Sequence, residues 1–294
     1  MLKKMLFAIA LLAVLSGTFL LRSEHAYTYT VYENLPYGEA DYARLDLFVP
    51  SPAYTRYENG CVLLLHGGAW ISGSRKEFDA ECRALAEHGY LAATMDYTLG
   101  TEENLLTASV DTMLDDIGAA IEALAAFSEE NGLSISRLAL SGYSAGAHLS
   151  MLYAYSRGAE SAIPLVFTAN RAGPADFRTE LWGGTEAMIV PALAGLERTA
   201  AYAAEGRYAE LAALVSPVTY IGPDSPPSLL AYGGQDTTVS VGNGEAVRAA
   251  LERAGVPCDY ILYPNSDHAL QGDPEQEALY QETLYRYCAR YFGY

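Results

Sequence analysis

The residues best placed to do chemistry are in Gly142-Tyr143-Ser144-Ala145-Gly146. An apolar run, Arg137 to Ser141, leads into them and a helical run, Ala147 to Tyr155, leads out. Ser144 therefore stands at the apex of a strand-to-helix turn. Glycine two positions to either side leaves room for a strained backbone and for close neighbours. Such a turn lifts the hydroxyl clear of the sheet and aims the first N–H groups of the helix at whatever binds there. A serine hydroxyl alone is a weak nucleophile, so a base and a carboxylate must come from elsewhere in the chain.

In an open parallel sheet the working edge is formed by the C-terminal strand ends, and that rule sorts the histidines. His88 closes a helix and precedes a strand, which puts it at the opposite edge. His148 lies one turn into the helix after Ser144 and reads as a core residue, and His25 lies in a linker. His268 follows the strand Pro257 to Tyr263 and is the base candidate. Asp236 follows the strand Pro227 to Tyr232, at the same edge, and is preferred to Asp267 as the carboxylate. A side chain seldom reaches round to the far ring nitrogen of its own neighbour. Ser144, Asp236 and His268 follow one another in the order serine, acid, histidine.

His66-Gly67-Gly68-Ala69-Trp70 directly follows the strand Cys61 to Leu65. Glycines there let backbone N–H groups face an oxyanion opposite Ser144. Gly68 or Ala69 together with Ala145 are the expected donors, and a negative φ is the condition for Ala69 to serve. Trp70 and Tyr143 flank these groups and are the candidate substrate contacts.

Elements of the right kind surround these residues. Tyr27 to Glu33 and Tyr42 to Val49 read as two antiparallel edge strands, the second with one wet face. From Cys61 onward, apolar runs alternate with helical stretches: Glu77 to His88, Leu106 to Phe127, Ala145 to Tyr155, Gly242 to Ala254 and Pro274 to Tyr291. That alternation predicts one α/β domain with a mostly parallel sheet of about eight strands, covered by helices on both faces. Between residues 177 and 224 the rhythm stops. Helical stretches such as Ala200 to Val215 mark an insertion there, as a lid or as a packing excursion.

The composition excludes some partners. Eighteen Lys and Arg face 36 Asp and Glu, a formal charge of −18, which repels nucleic acid and anionic membrane surfaces. Cys61, Cys82, Cys258 and Cys288 have no metal-ligand or C-x-x-C spacing, so no metal site is expected. Buried thiols are the default, with Cys258 and Cys288 the candidate disulfide pair. Lys3 and Lys4 precede an uncharged apolar run, Met5 to Leu21. Residues 1–22 thus read as a signal peptide or a membrane anchor, which predicts export of residues 23–294 to the cell exterior or outer membrane face.

With these motifs in place, the chain resembles α/β-hydrolase esterases of the hormone-sensitive-lipase-like and bifunctional feruloyl and acetyl-xylan esterase-like group. The matching stretches are Leu45-Asp46 with Pro50, His66 to Trp70 with Gly73-Ser74, Asp96-Tyr97, Gly142 to Leu149, Gly173 to Asp176, Ser216-Pro217, and the Asp236 and His268 loops. The resemblance implies a cofactor-independent esterase acting on small acyl groups. Ala69 in place of a third glycine, and Ala269 after His268, depart from the pattern. The motifs also resemble those of arylformamidases, and a serine peptidase of the same fold shares the serine, acid, histidine order. Tyrosine outnumbers phenylalanine 23 to 8, and amphipathic rings suit carbohydrate or phenolic esters.

Overall fold

The computed structural model describes residues 27–51, 59–102, 104, 107–178 and 180–293. The apolar segment 1–22 and His25 lie outside them. Among the described residues no helix is long and apolar enough to cross a membrane.

The strands are β1 (Thr28–Pro36), β2 (Arg44–Ser51), β3 (Asn59–Leu65), β4 (Leu91–Met95), β5 (Ile135–Tyr143), β6 (Leu165–Arg171), β7 (Ser228–Gly233) and β8 (Cys258–Tyr263). They form one eight-stranded sheet in the order β1-β2-β4-β3-β5-β6-β7-β8. β1 and β2 are antiparallel, as are β2 and β4, and every other pair is parallel. In β3, Cys61, Leu63 and Leu65 join the core on one face of the sheet, while Val62 and Leu64 join the core on the other. Burial on both faces is why this strand reads as an unbroken apolar run.

Among the described residues eight helices cover the faces: α1 (Asp79–Glu87), α2 (Val110–Asn131), α3 (Ala145–Ser156), α4 (Glu186–Ala194), α5 (Leu196–Ala204), α6 (Tyr208–Leu214), α7 (Gly242–Ala254) and α8 (Pro274–Tyr291). α1 and α8 pack on one face through Cys82, Leu85, Tyr280, Leu284 and Tyr287. α2, α3 and α7 pack on the other, and Val190, Leu193 and Leu211 bring the inserted helices to that same face. Local chemistry sets the helix ends. Ser109 and Thr112 cap α2 reciprocally, and Gly132, at φ 65°, closes it in the left-handed conformation.

Three expectations need correction. β2 is an interior strand, because β4 pairs along its free side, and only β1 is an edge. Its supposed wet face is buried, with Asp46 at 0% exposure. That carboxylate accepts the Asn34 N–H at 2.7 Å and pairs with Arg75 Nε at 3.1 Å and Lys76 Nζ at 2.8 Å. Burial pushes the Asp46 carboxyl up, but the bonds from Lys76, Asn34 and Arg75 outweigh it and hold it below the usual carboxylate range. The helical stretch Ala200 to Val215 is broken at Gly206, whose φ of 69° lets the Arg207 N–H turn back to the Tyr202 carbonyl. Finally, all four cysteines are free thiols, so Cys258 and Cys288 are not bridged.

Candidate active site

β5 delivers Ser144 at its C-terminal end and α3 begins at the next residue. The serine backbone has φ 53° and ψ −119°, a conformation in which L-residues are strained. Its N–H donates to the Arg171 carbonyl of the neighbouring β6 at 2.9 Å, which locks the turn. The flanking glycines are required by space. A Cβ on Gly142 would lie 2.5 Å from the Gly146 carbonyl carbon, and one on Gly146 would lie 2.0 Å from the Leu65 oxygen.

The loops after β7 and β8 bring the other two groups. The Ser144 hydroxyl donates to His268 Nε2 at 2.9 Å, and His268 Nδ1–H donates to Asp236 Oδ2 at 2.7 Å. Asp236 Oδ1 accepts the Thr238 and Val239 N–H groups, each at 2.8 Å, and the side chain is fully buried. Asp267 is turned aside, its Oδ1 accepting the Ala269 N–H at 3.0 Å. A hydroxyl, a neutral imidazole and a carboxylate in line can pass a proton from serine to histidine while the carboxylate stabilises the resulting cation.

The other described histidines have partners elsewhere. His88 Nδ1–H donates to the Ala84 carbonyl, and its ring stacks on Tyr285. His148 is fully buried; its Nε2–H donates to the Val215 carbonyl at 2.8 Å and its Nδ1 accepts from Trp70 Nε1–H at 3.2 Å. Burial lowers the His148 pKa to about 4, against a raising contribution from the Val215 bond, so the ring stays neutral. His66 stacks on Tyr97 with ring centroids 4.2 Å apart, and burial likewise lowers its pKa.

The loop after β3 runs through three left-handed residues, Gly68 at φ 101°, Ala69 at 52° and Trp70 at 62°. The negative φ set as a condition for Ala69 is therefore not met. The Ile71 and Ser72 N–H groups both donate to the Gly68 carbonyl, and that tight turn dictates the sign. A Cβ on Gly68 would lie 2.1 Å from the Ser72 oxygen. A left-handed alanine costs roughly 1–2 kcal/mol, and the surroundings hold it in place. The Tyr97 hydroxyl donates to the His66 carbonyl at 2.8 Å, and the Gly100 N–H donates to the Trp70 carbonyl at 2.7 Å. The Gly68 and Ala69 N–H groups have no acceptor among the described residues, and Ala145 supplies the first free N–H of α3.

Trp70 is half-buried, its ring 5.3 Å from His148 and 6.4 Å from Phe177. The Tyr143 hydroxyl donates to the His268 backbone carbonyl at 2.7 Å. Burial first, and then the Asp236 and Asp267 charges, push the Tyr143 pKa up to about 12, which keeps this hydroxyl a donor. Beside Tyr143 lies a cavity of about 470 Å³ whose lining includes Gly67, Phe78, Arg171, Leu270 and Glu277. Arg171 was not singled out in the sequence. Its guanidinium lies 4.3 Å from the centroid of the Tyr280 ring and 3.5 Å from Glu277. Asn243, equally unmarked, accepts the Ala175 and Asp176 N–H groups and so fixes the segment entering the insertion.

Among curated proteins the chain is 30% identical over 119 residues to a kynurenine formamidase of Salmo salar, a stretch that is 40% of this chain and 37% of the salmon protein. The chain thus matches well under half the length of that relative. A truncated carbohydrate esterase from gut microbiota superposes with a TM-score of 0.73 at 16% identity, over 92% of this chain and 99% of that one. Esterase 2 of Thermogutta terrifontis, phosphorylated by paraoxon, gives 0.65 at 19% identity over 91% and 95%. At such identities the two structures speak for the fold, the α/β-hydrolase arrangement expected above. The BD-FAE family matches residues 45–251, which hold Ser144, Asp236 and the His66 to Trp70 loop. The chain therefore belongs to the BD-FAE family of α/β-hydrolases.

Proposed function

We propose that the protein is a serine esterase that hydrolyses small acyl esters, acetyl or similar, of carbohydrate or phenolic alcohols. The observation that carries the reading is the unbroken hydrogen-bonded line from Ser144 through His268 to Asp236. Ser144 Oγ attacks the ester carbonyl carbon as its proton passes to His268 Nε2, and Asp236 stabilises the imidazolium. The Gly68, Ala69 and Ala145 N–H groups hold the oxyanion, where loss of one donor typically costs roughly 10²–10³ in rate. The bond to the alcohol breaks, the Nε2 proton leaves with it, and the acyl group stays on Ser144. Water then gives a proton to His268 and attacks the acyl carbon, and serine departs with the proton returned. Each cycle consumes one water and yields one acid and one alcohol.

One structural neighbour is a carbohydrate esterase and another is phosphorylated by paraoxon, and both support this reading. The cavity beside Tyr143 is lined by Gly67, Tyr143, Ala269 and Leu270, chain neighbours of the oxyanion loop, Ser144 and His268, and offers space for the alcohol part. Residues 1–22 are read as the signal or anchor that carries the enzyme out of the cytoplasm.

Ser144→Ala is expected to abolish hydrolysis of p-nitrophenyl acetate above background; turnover at the parent rate would overturn the assignment. The salmon relative favours a second reading, an arylformamidase acting on amides. N-formylkynurenine cleaved far faster than acetylated xylan or feruloyl esters would select it.

A further inference from the structure

Tyr143 stands between the two loops that complete the site. Its hydroxyl donates to the His268 carbonyl at 2.7 Å, and its ring centroid lies 5.3 Å from that of the imidazole. On the other side the ring packs against the loop after β3, where a Cβ on Gly67 would lie 3.1 Å from Tyr143 Cδ1. The loop after β8 is otherwise tied mostly to itself. Asp273 accepts the Asn265 N–H at 2.9 Å and the Ser266 hydroxyl at 2.6 Å, and the Ala269 and Leu270 N–H groups both turn back to Asp267. Gln235 reaches in from the β7 side, its N–H donating to the Ser266 carbonyl at 2.9 Å. Among the described residues, the Tyr143 hydroxyl alone ties the backbone of His268 itself to another element. Tyr143 also precedes Ser144 in the chain, so one dipeptide at the end of β5 holds both ends of the serine-to-histidine bond.

We propose that Tyr143 is a positioning residue: by gripping the His268 carbonyl it sets the approach of His268 Nε2 to Ser144 Oγ, and it is not primarily a substrate contact. Asp236 orients the imidazole through Nδ1, and the Gln235 bond holds the loop two residues earlier at Ser266, but neither grips the His268 backbone. The Tyr143 hydroxyl does. Proton transfer requires the base within hydrogen-bond reach, so a small drift of the loop lowers the rate of the chemical step and leaves binding alone.

This inference rests on the serine esterase reading, and the test separates the two. Tyr143→Phe and Ser144→Ala are assayed side by side on p-nitrophenyl acetate and ethyl acetate. For Tyr143→Phe, kcat is expected to fall on the order of ten-fold on both substrates with KM nearly unchanged, as for loss of one hydrogen bond felt only in the chemical step. The low-field proton resonance of His268 Nδ1–H is expected to broaden in the same variant. Raised KM with kcat preserved would make Tyr143 a substrate contact and overturn the proposal, and so would unchanged kcat and KM. If Ser144→Ala keeps the parent rate, the esterase reading itself fails. Should Tyr143→Phe not fold, Tyr143→Gln and Tyr143→Leu take its place. The amide donor should then hold kcat at least about three-fold above leucine, and equal rates would sink the idea.

Discussion

Asp236 divides its two carboxylate oxygens between different tasks. Oδ1 is fixed by the Thr238 and Val239 N–H groups, which leaves Oδ2 no choice but to face His268. In Asp236→Asn the amide oxygen satisfies the two backbone donors, so the NH₂ group faces Nδ1 and forces the imidazole into the tautomer that cannot accept the serine proton. We expect kcat on p-nitrophenyl acetate to fall on the order of 10³–10⁴-fold, the scale known for the same exchange in serine proteases. The circular dichroism spectrum should match the parent, and activity within ten-fold of the parent would contradict this account. The three groups in line were all legible in the sequence, because each follows an apolar strand at one edge. The sign of φ at Ala69 was not legible. It depends on two N–H groups converging on the Gly68 carbonyl, and residue type alone does not announce that convergence.

At the scale of elements, the junction between β5 and α3 has no slack. The Cβ missing from Gly146 would sit 2.0 Å from the Leu65 oxygen and 2.4 Å from the His66 oxygen. Both are backbone atoms of β3 and of the loop that carries Gly68, so relief requires moving the sheet or the loop. Gly146→Ala should therefore lower stability by roughly 2–3 kcal/mol or prevent folding. Urea denaturation reads this directly, and an unchanged midpoint would show the turn to be looser than its geometry. Central strands and the long helices α2, α7 and α8 could be placed from the sequence, since continuous apolar runs alternate with helical stretches, although α2 runs from Val110 to Asn131, four residues beyond the expected Leu106 to Phe127. β2 misled because its Asp46 has the polarity of a wet face, while the cations that neutralise it, Arg75 and Lys76, lie far along the chain. The insertion misled because an alanine-rich stretch favours helix throughout, and only Gly206 interrupts it.

Across the whole molecule, acid should act through buried histidine before it reaches the carboxylates. His148 titrates near 6.5 when unfolded but near 4 when folded, so its neutral form is shared by both states above pH 6.5. As pH falls from 6.5 to 4 the unfolded chain gains a proton that the folded one refuses, and stability falls by up to roughly 3 kcal/mol. His66, also lowered by burial, adds in the same direction. Asp46, held below its ordinary range, keeps its charge in the folded state across this window and loses its contribution only at lower pH. The urea midpoint should therefore drop between pH 7.5 and pH 4.5; a flat profile would mean that His148 is reached by water.

The antiparallel entry of the chain has one more consequence. Thr28 pairs with Ser51 where β2 lies beside the start of β4, and the Tyr27 N–H donates to the Glu87 carbonyl at the end of α1. Tyr27 is thus at the pole of the sheet opposite Ser144. A carrier protein or a solid support linked at Tyr27 itself would meet the fold at the pole away from Ser144, so the point of attachment would not stand between Ser144 and a bulky polymer presented to it.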